Sequence, residues 1–268
     1  MVLPGILTAA NMALGFYAIT ASIQEQWSVA AWCTIASIFV DVFDGRVARW
    51  TNSTSKFGIE FDSFADWISF GIAPALMVYL LVLRDYGRLG LAITFLYVLC
   101  AGIRLARFNL KAFGEEEVTP YFVGLPTPAA GGILASFVIL YDMWAEGNTK
   151  VRTIKLVMKQ VPVFFHLLPG IIFVLAVLMV SGLRYSSFKK MNLVKPRSVR
   201  AFLITVIVCL MIYIYPQNAI FVLFVGYILS GFLEYFWRLY RLRHPAKGFE
   251  IKTPEGESWE VKRKEGFF

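Results

Sequence analysis

Residues 41–49 read Asp-Val-Phe-Asp-Gly-Arg-Val-Ala-Arg, and residues 58–66 read Gly-Ile-Glu-Phe-Asp-Ser-Phe-Ala-Asp. The first run ends one strongly apolar segment and the second opens another. Asp41 and Asp44 are spaced i,i+3, and Asp62 and Asp66 are spaced i,i+4, so in helices each pair projects from one face. Carboxylates crowded at the edge of apolar segments need cations, and oxygen ligands alone favour a hard ion such as Mg²⁺ or Mn²⁺.

Small residues accompany both pairs of aspartates. Gly45 lies one helical turn after Asp41, Ala48 lies one turn after Asp44, and Gly58 lies one turn before Asp62. Side chains this small leave room for a bulky ligand to approach the helix backbones. Arg49 adds a positive charge that could hold a phosphate group or pair with an aspartate.

The composition is that of a polytopic membrane protein. The chain has 268 residues, of which 58% are hydrophobic, and its mean hydropathy is +0.63. The net charge of +8 does not indicate nucleic-acid binding, because the basic residues cluster in loops and in the tail, where they set topology and meet anionic lipid.

The apolar pattern predicts an all-α helix bundle with about eight transmembrane helices, namely a six-helix catalytic core followed by two C-terminal spans. We expect the spans near residues 3–23, 29–49, 58–83, 89–108, 129–144, 162–183, 201–215 and 218–240. Basic and apolar residues alternate over 148–160, which predicts a short interfacial helix. The resulting regions are a membrane core (1–183), a basic loop with two further spans (184–240) and a polar cytoplasmic tail (241–268).

The distribution of Lys and Arg predicts the orientation. With the aspartate-bearing ends placed in the cytoplasm, most of the 26 basic residues also fall on that side. Both termini are then cytoplasmic. The exceptions are Arg84, Arg88, Lys150, Arg152, Lys155 and Lys159.

The pattern D-x2-D-G-x2-A-R-x8-G-x3-D-x3-D over residues 41–66 resembles the signature of the CDP-alcohol phosphatidyltransferases. The resemblance implies transfer of a phosphatidyl group from CDP-diacylglycerol to a hydroxyl, with release of CMP. It also implies a pair of divalent ions, Mg²⁺ or Mn²⁺, held by Asp41, Asp44 and Asp62. Asp66 matches the aspartate proposed as general base, which also touches metal.

The same resemblance assigns residues to the donor. Gly45, Ala48 and Gly58 match positions that line the nucleotide pocket, and Arg49 matches the family arginine. Thr8 and Asn11 match a further motif at the start of the first span, although Gly5 stands where relatives would carry Asn. Helix packing is the alternative role for Asn11.

Three further stretches look like the branch of the family that makes phosphatidylserine. They are Gly71-Ile-Ala-Pro-Ala, Arg104-Leu-Ala-Arg-Phe-Asn and Gly124-Leu-Pro-Thr-Pro-Ala-Ala-Gly. L-serine is therefore the expected acceptor. Arg104 and Arg107 could bind its carboxylate or a donor phosphate, or could be ordinary positive-inside anchors.

Other acceptors stay open, among them inositol, inositol phosphate and glycerol phosphate, as does an archaeal lipid analogue of the donor. From another class, a cation transporter could use the aspartates as an ion path. The clustering of the acids near one interface argues against it. By resemblance we also expect a homodimer in a prokaryotic inner membrane, with the active site facing the cytoplasm.

Overall fold

The computed structural model of the chain describes residues 2–50, 55–113, 121–145, 155–182, 184–186 and 215–243. These residues form eight α-helices and two short strands. The helices are α1 (Val2–Ile23), α2 (Trp27–Trp50), α3 (Lys56–Asp66), α4 (Ala73–Leu81), α5 (Gly87–Phe113), α6 (Thr127–Ala145), α7 (Lys155–Val180) and α8 (Pro216–Arg243). A π-helical segment (Trp67–Ile72) joins α3 to α4, and a 3₁₀ turn (Leu83–Tyr86) precedes α5.

Six segments in the described part of the chain are long and apolar enough to cross a membrane, so the protein is an integral membrane protein. They correspond to the first six predicted spans: Gly5–Ile23, Trp27–Val47, Lys56–Leu81, Leu83–Leu110, Thr127–Ala145 and Val161–Val180. The seventh predicted span, 201–215, lies almost wholly outside the described residues. The eighth corresponds to α8, whose apolar part, Gln217–Gly231, is shorter than the six. The total of eight spans stays a prediction.

The third span is a continuous helix in which the π-helical segment Trp67–Ile72 follows directly after Asp66. Ser55 caps its start, because its hydroxyl accepts the Gly58 N–H at 3.0 Å. Pro74, near the start of α4, has no N–H to give the carbonyl of Phe70, four residues earlier. The fully buried Tyr97 of α5 donates its hydroxyl to that carbonyl at 3.1 Å. The π-helical segment is therefore stabilised by a side chain from another helix, α5.

Neighbouring helices approach the π-helical segment at glycines. A Cβ atom added to Gly15 of α1 would lie 2.8 Å from the Cα of Ser69, and one added to Gly131 of α6 would lie 3.1 Å from the Cα of Phe70. Ser69 also donates its hydroxyl to the carbonyl of Asn11 at 2.9 Å. The absence of side chains at these two glycines lets α1 and α6 pack directly against the backbone beside Asp66.

Two details differ from the sequence-based expectation. The helical bundle carries an additional antiparallel pair of three-residue strands, β1 (Tyr121–Val123) and β2 (Arg184–Ser186). These strands meet because α5 and α7 both end on the side of the bundle where α6 begins. Residues 155–160 of the interfacial helix predicted at 148–160 are helical, but they continue without a break into α7 and do not form a separate helix. The remainder of the predicted helix lies outside the described residues, and its interfacial position stays a prediction.

Candidate active site

Two helices bring the four predicted aspartates to one end of the bundle. Asp41 and Asp44 lie in the last turns of α2, and Asp62 and Asp66 lie on α3. Each of Asp41, Asp62 and Asp66 offers a carboxylate oxygen, and these three oxygens lie within 4.8 Å of one another. The i,i+3 and i,i+4 spacings therefore do converge on one point in space, as the sequence predicts.

Such a cluster is costly without nearby positive charge. Two ionised carboxylates about 5 Å apart repel each other by roughly 3 kcal/mol at an effective dielectric constant of about 20. Three such pairs approach the whole stability of an ordinary domain, about 5–15 kcal/mol. A cation is the usual remedy for buried or membrane-embedded acids that lie this close together. Oxygen-only ligands of this kind fit a hard divalent ion.

Asp44 lies beside the three-carboxylate cluster and is almost completely buried. Its Oδ2 accepts a hydrogen bond from the hydroxyl of Thr8 on α1 at 2.5 Å. Its Oδ1 is buried and has no hydrogen-bond partner among the residues that the structure describes. Asp44 also interacts electrostatically with Asp41 and Asp62. An acceptor oxygen left without a donor next to three carboxylates suits a metal ligand, so the residues present fit the predicted ions.

Asn11 of α1 is fully buried and forms a hydrogen bond with Asp66. Its Nδ2 donates to Oδ1 of Asp66 at 3.1 Å. Its own side-chain oxygen, Oδ1, has no hydrogen-bond partner within the described ranges. The two residues predicted on α1 to bind the donor, Thr8 and Asn11, therefore each hold one of the aspartates.

Arg104 of α5 places a positive charge beside the aspartates, whereas the described hydrogen bond of Arg107 is made away from them. Arg104 donates from Nη1 to the hydroxyl of Thr127 at 2.9 Å and interacts electrostatically with Asp66 and Asp41. Its Nε is buried and lacks a hydrogen-bond partner in the part of the chain that is described. Arg107, one turn further along α5, is exposed and donates to the main-chain carbonyl of Val180 at 2.9 Å.

The remaining predicted residues are placed by their helices. Gly45 lies on α2 one residue after Asp44, and Gly58 lies in the first turn of α3 above its cap. Ala48 and Arg49 belong to the last turn of α2, and their side chains lie outside the described residues. Their roles as nucleotide-binding residues stay predictions.

A polar network between α3 and α5, next to the aspartates, was not predicted. Ser63 donates to Oδ1 of Asn109 at 3.0 Å, and Nδ2 of Asn109 donates to Glu60 at 3.2 Å. Asn109 is buried, and it ties α5 to α3 at Ser63, which follows Asp62 directly and precedes Asp66 by one turn. Asn109 stands in the Arg104–Asn109 stretch that the sequence singled out, but spacing alone does not show which helix it bonds.

Comparison with known proteins assigns this site to a family. The family model described as CDP-alcohol phosphatidyltransferase matches residues 1–162, which include all four aspartates and Arg104. The chain belongs to the CDP-alcohol phosphatidyltransferase family. It is thus an enzyme of phosphatidyl transfer from a CDP-alcohol, and the cation-transporter alternative falls away. Enzymes of this family generally use divalent metal ions, in agreement with the donor set found here.

Several relatives of this CDP-alcohol phosphatidyltransferase carry a more specific name. Two proteins named CDP-diacylglycerol–serine O-phosphatidyltransferase, from Helicobacter pylori strains J99 and 26695, are each 36% identical over 242 residues, which is 89% of this chain and 93% of theirs. A protein of the same name from Bacillus subtilis is 33% identical over 52% of this chain and 77% of its own length. An archaetidylserine synthase from Methanothermobacter thermautotrophicus is 34% identical over 51% of this chain and 58% of its own.

Proposed function

We propose that this enzyme transfers the phosphatidyl group of CDP-diacylglycerol to the hydroxyl of L-serine, giving phosphatidylserine and CMP. The observation that carries the proposal is that relatives named for this reaction match 89% of the chain, while the aspartate cluster interacts electrostatically with Arg104, whose Nε is buried. In the reaction, the serine oxygen forms a bond to the phosphorus that carries diacylglycerol. The bond from that phosphorus to the oxygen of CMP breaks, and the serine hydroxyl loses its proton.

The acidic side chains hold the divalent ions in this proposal. Asp41, Asp62 and Asp66 supply oxygens within 4.8 Å of one another, and the unpartnered Oδ1 of Asp44 completes the set. Mg²⁺ or Mn²⁺, two ions by family resemblance, would supply positive charge to the pyrophosphate of the donor and to the departing CMP. The hydroxyl of Thr8 donates to Oδ2 of Asp44 and so fixes the orientation in which Oδ1 is free to bind an ion.

Asp66 is the proposed general base. Because Asn11 donates to Oδ1 of Asp66, we assign Oδ2 to receive the serine proton and Oδ1 to the metal ion. A hydrogen bond to one oxygen also fixes the plane of the carboxylate, and a base acts only from hydrogen-bonding distance in the right orientation. Asn11 is thus a positioning residue whose own Oδ1 stays available to a ligand.

Arg104 is the proposed recognition group for the carboxylate of serine. Thr127 holds one terminal nitrogen of the guanidinium, whereas Nε has no partner among described residues. A guanidinium binds a carboxylate through two parallel N–H groups, and such bonds are about twice as strong as neutral ones. Arg107 has its described bond to α7, which favours an anchoring role. We therefore predict that Arg104→Lys raises the KM for serine about tenfold or more, whereas Arg107→Lys leaves it within about twofold.

The setting of the reaction is proposed from sequence and resemblance. The aspartate-bearing end faces the cytoplasm, where CMP is released, and the donor's acyl chains stay in the bilayer. We further propose an inner-membrane homodimer with both termini in the cytoplasm. Gly45, Ala48, Arg49 and Gly58 line the side that receives the cytidine.

A panel of acceptors tests the proposal. Purified protein in mixed micelles receives CDP-diacylglycerol, Mn²⁺ and one of serine, inositol, inositol phosphate or glycerol 3-phosphate, and the lipid product is identified by mass. Phosphatidylserine should form, and the other acceptors should give little product. A parallel donor carrying archaeal ether-linked chains shows whether the lipid backbone matters. Product from another acceptor alone would support the reaction class but refute serine as the acceptor.

A further inference from the structure

The C-terminal helix α8 lies beyond residues 1–162, which the family model matches, yet it packs against the helices that form the site. The ring of Phe224 fills the space that a side chain at Gly132 of α6 would need. On its first turns, Phe221 meets Phe164 of α7 edge to face, with ring centroids 5.9 Å apart. α8 also contacts β2, so it runs from the far end of the bundle toward the end that holds the aspartates.

This course brings Tyr227 to the depth of Arg104. Gly132 lies five residues into α6 from Thr127, which is about 7.5 Å along the helix, and Tyr227 lies about 4.5 Å beyond Phe224 in the same direction. Tyr227 and Phe224 are spaced i,i+3 and so share the face that meets α6. Tyr227 is half-buried, packs against the hydrophobic core and interacts electrostatically with Arg104.

We propose that Tyr227 is a positioning residue for Arg104, so that α8 forms part of the acceptor pocket and contributes to selectivity for an acceptor that carries a carboxylate. The inference rests on the proposed function, because it concerns the arginine that we assign to the serine carboxylate. Thr127 fixes one side of the guanidinium from α6. In this proposal the phenol of Tyr227 restricts the guanidinium from the α8 side, so that Nε, which has no hydrogen-bond partner among the described residues, stays available to the carboxylate of the acceptor.

A conservative substitution tests this role. Tyr227→Phe keeps the ring and its packing but removes the hydroxyl, and Tyr215→Phe, just before α8, is the matched control. We expect Tyr227→Phe to raise the KM for serine about 3- to 10-fold while kcat and the KM for CDP-diacylglycerol stay within about twofold. The preference for serine over serinol, which has no carboxylate, should fall by the same factor. Tyr215→Phe should match the wild type in every respect.

Combination with Arg104→Lys separates positioning from packing. If Tyr227 acts through the guanidinium, adding Tyr227→Phe to Arg104→Lys should change the KM for serine by less than about twofold, because the effect is shared. An unchanged KM for serine in Tyr227→Phe would overturn the inference. So would equal losses with serine and serinol, or a lowered melting temperature that accounts for the loss. Wild-type protein that makes no phosphatidylserine would instead refute the proposed function and, with it, this inference.

Discussion

The bond from Asn11 to Asp66 gives the sharpest prediction from the site. Asn11→Ala removes a donor to a carboxylate, without removing the carboxylate. A hydrogen bond to a charged group contributes about 1.5–3 kcal/mol, and each 1.36 kcal/mol of barrier is tenfold in rate. If that energy holds the proposed base in its productive orientation, kcat should fall about 10- to 150-fold. The kcat of Asn11→Asp should fall further, because this substitution places another carboxylate about where the amide now lies, 3.1 Å from Oδ1 of Asp66.

The assay is phosphatidylserine formation in mixed micelles under saturating Mn²⁺, with kcat and both KM values determined for each variant. Ser69→Ala is the matched control, because it removes the hydroxyl that bonds to the main-chain carbonyl of Asn11 and leaves the side-chain bond to Asp66 in place. Its kcat should stay within about threefold of the wild type. A raised KM for CDP-diacylglycerol with unchanged kcat in Asn11→Ala would refute the reasoning, since Asn11 would then bind the donor rather than position the base.

Two further predictions concern the π-helical segment beside Asp66. Tyr97→Phe leaves the carbonyl of Phe70 buried without its donor, which should destabilise the protein by about 1–3 kcal/mol; thermal unfolding in detergent measures it, and a melting temperature equal to that of the wild type would contradict the account. Gly15→Ala should also lower the melting temperature, because the added methyl group would collide with the backbone of Ser69. Gly5→Ala is its control: no atom lies within 4 Å of that added methyl group, and equal effects of the two substitutions would refute close packing as the cause.

The residues that carry the chemistry were predictable from local spacing. Helix periodicity alone places Asp41 with Asp44 and Asp62 with Asp66, and the apolar lengths predict the six spans found among the described residues. The residues' partners were not predictable, because they depend on which helices pack together. Asn11 was assigned to the donor, yet it bonds Asp66 across 55 positions of sequence.

Backbone features that depend on tertiary contacts also could not be predicted from the sequence. Pro74 indicates a disturbed helix, but the π-helical segment before it is held by Tyr97 from another helix, and no local pattern shows that pairing. In the basic segment 148–160 the charges alternate with apolar residues, which is the pattern of an interfacial helix. In its described part it continues into α7, since nothing in 155–160 stops the helix before the apolar run. The two short strands pair across more than 60 residues, a distance over which no periodicity gives information.

The central claim is that the aspartate cluster carries metal-dependent transfer to serine. Its most direct test is phosphatidylserine formation by purified wild-type protein, by Asp66→Asn, and by wild type stripped with a chelator and then resupplied with Mn²⁺. The account predicts phosphatidylserine and CMP in equal amounts from the wild type, loss of both in Asp66→Asn and after chelation, and recovery of both with Mn²⁺. Full activity of Asp66→Asn, or activity that survives chelation, would contradict it.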